Sequence, residues 1–320
     1  MTWLAWRQLR LQAAVVSAAG AVLVLVLLAS ARSVSDASVY AIAWASMIAL
    51  PPIIGAFWGA PLIARELEMG THRLAWTQSV TRTRWLAIKL GLGVLAAIVV
   101  VGLLTLAVTW WCAPIDTALN SGQSFGGILK VPRMDPRMFI ARGIAPIGYT
   151  AFAFVLGATA GLVLRRTVPA MAVTLAVFVA VQLAVPTFVR SHLAPKHVTT
   201  AITQRNLRGL IINDPGAPVT DVRVAIDEPG AWLTANSPVD PHGHLVDTLP
   251  GWVGSCAPAP GGHTPERACF QRLATAGYRQ RVSYQPRSRY WAFQAIELAI
   301  FLVLAGALAG VCFWRIGRVG

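Results

Sequence analysis

An all-α polytopic bundle of six transmembrane helices, with a mixed extracytoplasmic insert between helices five and six, is the architecture this sequence predicts. Three observations point to it. The chain is 56% hydrophobic and only 12% charged, about half the charged share of an average soluble domain. Its apolar residues gather into six runs, each able to supply the roughly 20 residues that a helix needs to cross the hydrocarbon layer. Its polar residues concentrate in one long stretch, 190–290, immediately before the last run.

The runs can be taken in order. The N-terminus, MTWLAWRQLR, has the basic start of a signal peptide. The run that follows, 13–31, is longer than a signal core and lacks a clear small-residue cleavage site, so it reads as a retained first span. The second run, 40–64, contains Pro51, Pro52 and Pro61. The third covers 85–112, the fourth 139–164, the fifth 168–189 and the sixth 291–314. Helices satisfy their own backbone groups in lipid, and none of the runs shows the apolar–polar alternation of a barrel strand. The domain plan is therefore spans one to five in 1–189, including a polar segment 64–89; an insert 190–290; and a last span with its tail in 291–320.

Short-loop charge sets the orientation. Arg7, Arg10, Arg65, Arg73, Arg82, Arg84, Lys89, Arg165, Arg166, Arg315 and Arg318 fall on one side, against Arg32, Lys130, Arg133, Arg137 and Arg142 on the other. This predicts a multi-pass protein of the cell membrane with both termini cytoplasmic. The formal charge of +14 is then explained by topology and lipid contact rather than by nucleic acid. The insert lies outside, where stretches such as VTDVRVAI read as strands. Cys256 and Cys269 share that oxidising region and are expected to form a disulfide. Cys112 and Cys312 sit near the ends of apolar runs and read as small apolar residues.

The chain has no GxxxxGK[ST], GxSxG, HExxH or EF-hand pattern, which excludes nucleotide hydrolysis by a P-loop within it. No cofactor or metal is expected; His242-Gly-His244 offers two histidines without a third ligand and reads as loop. Glu297 is the carboxylate inside an apolar run, and Gln294 shares its helical face. Both read either as pathway residues or as interfacial ones near the outer end of the last span. Arg142 has the same two readings, and an Arg142–Glu297 pair is one arrangement the sequence allows.

The segment RELEMGTHRLAWTQSVTRTRWLAIKL, residues 65–90, joins the second and third runs. Gly70-Thr71 is a natural break. Thr71 is a candidate cap for a short amphipathic helix bearing Leu74 and Trp76, and Ser79 or Thr81 for the next helix, which carries Arg82, Arg84, Trp85 and Lys89. Trp76 and Trp85 suit the membrane interface. By physics alone the segment is either an interfacial anchor or a lever.

Residues 55–90, GAFWGAPLIARELEMGTHRLAWTQSVTRTRWLAIKL, resemble the second-to-third-span region of ABC-2 type transporter permeases, in particular the actinobacterial form. The Trp6-Arg7-Gln8-Leu9-Arg10 start is similar to theirs as well. The family pattern of an acidic pair, Gly-Thr, a Ser/Thr-Arg turn and a Lys entering the next span falls on Glu66, Glu68, Gly70, Thr71, Ser79, Thr81, Arg82 and Lys89. The departure is the large insert before the last span. The resemblance implies a permease subunit of an exporter, paired with a second permease in the lipid bilayer. It would be driven by a separate ATP-binding-cassette ATPase, which holds the ATP and Mg. It also implies that Glu66, Glu68, Gly70, Thr71, Arg73 and Arg82 make the coupling contacts with that ATPase. The alternative is a membrane-anchored sensor or scaffold that works through the insert.

Overall fold

The computed structural model describes residues 20–29, 37–70, 81–121, 131–185, 193–211, 218–256 and 267–318, with single positions 14, 18, 188 and 190. The chain divides into two compact units. The first comprises Met1–Arg190 and Tyr290–Gly320; the second is Ser191–Arg289.

Five helical stretches among the described residues are long and apolar enough to cross a membrane: Ser38–Glu68, Arg82–Asn120, Ala145–Leu164, Thr167–Val185 and Arg287–Ile316. The predicted first span contributes a shorter apolar helix, α1 (Gly20–Ala29); of the rest of that run, only positions 14 and 18 are among the described residues. The predicted second run is α2 (Ala37–Ile54), a π-helical turn (Gly55–Gly59) and α3 (Ala60–Glu68) in continuous succession. Pro61 has no amide to offer the preceding turn. The ladder shifts accordingly, with Ala60 N–H bonding to Gly55 O, five residues back. The third span, α4 (Arg82–Asn120), is far longer than its apolar run and carries Pro114 inside it. Thr81 caps it, accepting from Arg84 N.

The fourth run needs correcting. It was expected to be helical from residue 139, but the chain forms a short helix α5 (Pro136–Phe139), a corner at 140–144, and only then α6 (Ala145–Leu164). Gly143 turns the corner at φ +80°, a conformation that glycine adopts without steric cost. The remaining spans are α7 (Thr167–Val185) and α9 (Tyr290–Ile316). Helix α6 is the axis of the first unit and packs against α2, α3, α4, α7 and α9. Its residues are buried nearly all round, whereas α4, α7 and α9 expose Leu95, Leu103, Val168, Leu183, Leu302 and Val303. That difference is what a bundle in lipid requires, since apolar side chains facing hydrocarbon carry no penalty.

Small residues allow α6 its central place. Gly55, Gly59, Ala60 and Ala64 face Gly157 and Gly161, two Gly-x-x-x-Gly pairs on neighbouring helices. A Cβ built on Gly161 would stand 2.6 Å from Ala60 O, and one on Gly55 2.5 Å from Ala153 O. The two backbones are therefore in direct contact, the arrangement that small-xxx-small patterns permit in membranes. Above this seam Trp58 meets Phe154 edge to face, ring centroids 5.7 Å apart.

The second unit is mixed. Strands β1 (Lys196–Ala201), β4 (Trp232–Val239) and β5 (Arg279–Gln285) form an antiparallel sheet in the order β1-β5-β4, and β2 (Leu207–Ile211) pairs with β3 (Asp221–Val224). β3 lies within the VTDVRVAI stretch. Along β5, Arg279 and Arg281 are exposed while Gln280 and Val282 are buried, so one face of the sheet covers a core of Val222, Val224, Val253, Leu273 and Val282. A Cys256–Cys269 disulfide ties the 3-10 turn Gly251–Cys256 to α8 (Arg267–Thr275).

Asp240 orders the turn after β4. Its Oδ1 accepts from His242 N at 2.9 Å and His244 N at 2.8 Å, and its Oδ2 lies 3.4 Å from His244 Nδ1. The backbone N–H of His244, first among these partners, holds the carboxyl below its usual value. A depressed carboxyl stabilises the turn fully above the ordinary carboxylate range and loses that contribution as pH falls through the lowered folded value. Amide exchange of His242 and His244 in the full-length protein, corrected for intrinsic rates, is expected to accelerate on acidification below about pH 4, the ordinary carboxylate value. Asp240→Ala should be fast already at neutral pH. Equal protection in both proteins at neutral pH would refute this role.

Candidate functional site

The polar residues of the first unit gather at its two ends. At one end, α3 finishes at Glu68, α4 begins at Arg82, and α6 passes into α7 through Arg165 and Arg166. Arg165 takes a left-handed conformation, φ 54°, and donates its N–H to Gly161 O. Glu66 pairs with Lys89, a largely buried contact between α3 and α4, and Lys89 Nζ also sits 4.8 Å above the Trp85 ring. Glu68 accepts from Thr167 N at 3.1 Å and Thr167 Oγ1 at 2.8 Å, placing a carboxylate on the first turn of α7, where the helix dipole favours it. Thr159 and Cys312 tie α6 to α9 at 3.1 Å.

Both glutamates of the expected coupling set are thus engaged within the chain. They bind the end of α3 to α4 and α7 rather than standing free. Gly70 ends this element at φ +72°, with its N–H directed to Leu67 O. Arg82 occupies the first turn of α4. Thr71, Arg73, Trp76 and Ser79 lie outside the described residues. Trp85 is buried in the bundle, with 5% of its surface exposed, because the neighbouring helices cover the ring that sequence alone put at the interface. Arg65, Arg84, Arg165, Arg166, Arg315 and Arg318 are all exposed at this end.

The opposite end holds a buried polar network. The pairing allowed by the sequence, Arg142 with Glu297, does not form. Arg142 Nη1 instead meets Asp116 at 3.1 and 3.3 Å, because α4 extends far enough past Pro114 to present that carboxylate. Glu297 binds Arg190, whose Nε and Nη2 lie 2.8 and 2.5 Å from its Oε1, and Tyr149 donates to its other oxygen. Arg190 also stacks 3.9 Å above the Phe139 ring. Glu297 is 2% exposed and Arg190 fully buried, so Glu297 points into the protein rather than to headgroup water.

Gln294 works on the backbone. Its Oε1 accepts from Ile144 N and Ala145 N at 2.9 and 2.7 Å, and its Nε2 donates to Phe139 O and Arg142 O at 3.1 and 3.0 Å. One side chain from α9 therefore caps the start of α6 and ties the 140–144 corner, satisfying groups that a helix end leaves open. Thr105 and Thr109 hold Gly143 from α4, with Thr105 donating to its O at 2.8 Å and its N donating to Thr109 Oγ1 at 3.2 Å. A Cβ on Gly143 would come within 2.7 Å of Gln294, so only glycine fits there.

Several of these residues escaped the sequence reading. Asp116 and Arg190 lie past the ends of the apolar runs, where nothing in the sequence marks them as partners of residues in the spans. Tyr149 is unremarkable in an apolar run, and nothing local links Lys89 to Glu66. The Gly-x-x-x-Gly pairs were a legible signal, present at 55–59 and 157–161.

Among the described residues no group of three His, Cys, Asp or Glu side chains is set to hold a metal ion. No curated protein and no solved structure matches the chain. A family profile described as ABC-2 membrane transporter related matches residues 28–190, half of the chain. That match covers α2 to α7 with the charged helix ends between them, and the apolar helices agree with it: the chain belongs to the ABC-2 membrane transporter related family and is a multi-pass transporter permease.

Proposed function

We propose that this permease is the membrane-spanning subunit of an ABC-2 exporter, moved by a separate ATP-binding-cassette ATPase that binds the ATP and Mg. The observation that carries the reading is the tie between helix ends. Through Glu66–Lys89 and Glu68–Thr167, the end of α3 is fastened to the starts of α4 and α7. A displacement applied to the connecting segment reaches three helices together, as a two-state bundle needs. In this reading Glu66 and Glu68 transmit force, while Gly70, Thr71, Arg73 and Arg82 meet the ATPase. The exposed arginines at this end support a cytoplasmic side for it and for both termini, by the positive-inside rule. The Ser191–Arg289 unit is then extracytoplasmic, where its disulfide is stable. A second permease completes the translocation path.

The test separates docking from transmission. The permease is co-expressed with the ATPase that copurifies with it and reconstituted into liposomes. Arg73→Glu with Arg82→Glu is expected to reduce ATPase capture at least tenfold. Glu68→Ala with Glu66→Gln should leave capture intact and abolish the permease-dependent change in ATP hydrolysis. Normal capture and normal hydrolysis in both double variants would overturn the reading. Loss of function only on removing residues 191–289 would instead favour the sensor or scaffold.

A further inference from the structure

The Ser191–Arg289 unit carries a half-enclosed pocket of about 460 Å³, within the range of small-molecule sites. It lies where β1 and β4 flank the first residue of β5, closed on one side by the 240–243 turn and on another by the chain entering β5. Its chemistry is one-sided. Arg279 lines it from the central strand, between Ala201 and Val239 on the neighbouring strands. No ion pair or side-chain hydrogen bond engages its guanidinium among the described residues. Thr199 brings a hydroxyl group and His242 an imidazole, while the Tyr278 side chain packs on the core beneath. Asp240 is the only carboxylate among the lining residues, and its oxygens already accept from the His242 and His244 amides and face the His244 ring. Arg281 adjoins on the same open face of β5, pinning the turn by donating to Gly243 O at 3.1 Å.

We infer that this pocket binds a phosphorylated polyol, with Arg279 on the phosphate and Thr199 on a neighbouring hydroxyl. A guanidinium presents a fork of N–H donors matched to phosphate oxygens. The Thr199 hydroxyl can both donate and accept, which suits a sugar or glycerol hydroxyl. The lining is polar and apolar in similar measure, as a polyol's C–H and O–H faces require. The inference is independent of the transport reading, since it concerns the second unit alone. The same phosphate-and-hydroxyl chemistry occurs in free sugar phosphates and in lipid headgroups, and the experiment separates them.

Full-length protein in nanodiscs of phosphatidylcholine is titrated with glucose 1-phosphate and with glycerol 1-phosphate by calorimetry. Saturable binding is expected. It should weaken at least tenfold in Arg279→Gln, weaken measurably in Thr199→Val, and be unchanged in Arg223→Gln, an exposed arginine paired with Asp221 on the other sheet. Repeating the titration in phosphatidylglycerol nanodiscs identifies the source. Loss of the signal there marks a lipid headgroup as occupant, and its persistence marks a free sugar phosphate. No saturable binding of either phosphate in phosphatidylcholine discs, or equal binding by wild type and Arg279→Gln, overturns the inference. Because Arg279 is exposed, its replacement leaves the fold in place, and a melting curve matching wild type verifies this.

Discussion

Glu297→Ala is expected to destabilise the bundle by about 3–5 kcal/mol, the loss seen when one partner of a buried ion pair is removed. The reason is the guanidinium left behind. Arg190 is fully buried, and two of its nitrogens bind the Glu297 carboxylate. Without that carboxylate the charge faces only the Phe139 ring, and Tyr149 loses its acceptor as well. For a chain of this size the loss corresponds to a fall of roughly 10 °C in melting temperature. Arg190→Ala should fall as far, since it strands the carboxylate. The double variant Arg190→Leu with Glu297→Leu removes both charges and should recover most of the loss, because apolar replacement of a whole buried pair is often neutral or better. Melting in detergent, followed by size-exclusion recovery, measures all three. Single variants that melt with wild type would show that the pair carries no structural weight.

The same network marks where sequence reading stops. Five of the six expected spans were legible because twenty consecutive apolar residues have few other uses. The break at Gly70, and Thr81 as one of the two candidate caps, were legible because they depend on local backbone chemistry. Asp116–Arg142 and Arg190–Glu297 were not. Each joins residues far apart in sequence whose meeting depends on how far a helix continues past its apolar stretch. Helix α4 runs to Asn120, beyond Cys112 where apolar character fades, and this extension brings Asp116 to Arg142 and takes Glu297 as a partner out of Arg142's account. The 140–144 corner was hidden for a related reason. Ile140, Ala141 and Ile144 read as ordinary span residues, while the determinant of the corner is Gln294 on another helix. The intrachain contacts of Glu66 and Glu68 were not legible either, because nothing local to Lys89 and Thr167 signals their proximity.

Gly161→Leu should be the other severe lesion, and its effect should reach the coupling end. A Cβ there already meets Ala60 O at 2.6 Å and Ala64 N at 3.1 Å, and both are backbone atoms with no rotamer to yield. Helices α3 and α6 must then separate. Overpacking of this kind destabilises by about 1–3 kcal/mol or more, and the larger figure applies because four side-chain carbons enter the seam. Helix α9 provides the control within the same protein: nothing lies within 4 Å of a Cβ on Gly306, so Gly306→Leu is expected to melt with wild type and to express equally well. The two variants add the same atoms to helices in the same bilayer, so any difference between them reports the seam rather than helix propensity or hydrophobicity. Separation of α3 from α6 also displaces Glu66 and Glu68 from Lys89 and Thr167, since both carboxylates ride on the last turn of α3. Protein of Gly161→Leu that survives purification should therefore still capture the ATPase but lose its effect on ATP hydrolysis, whereas Gly306→Leu retains both. Equal melting of the two leucine variants would mean that the glycine seam does not hold α3 in place, and the link from packing to coupling would fail with it.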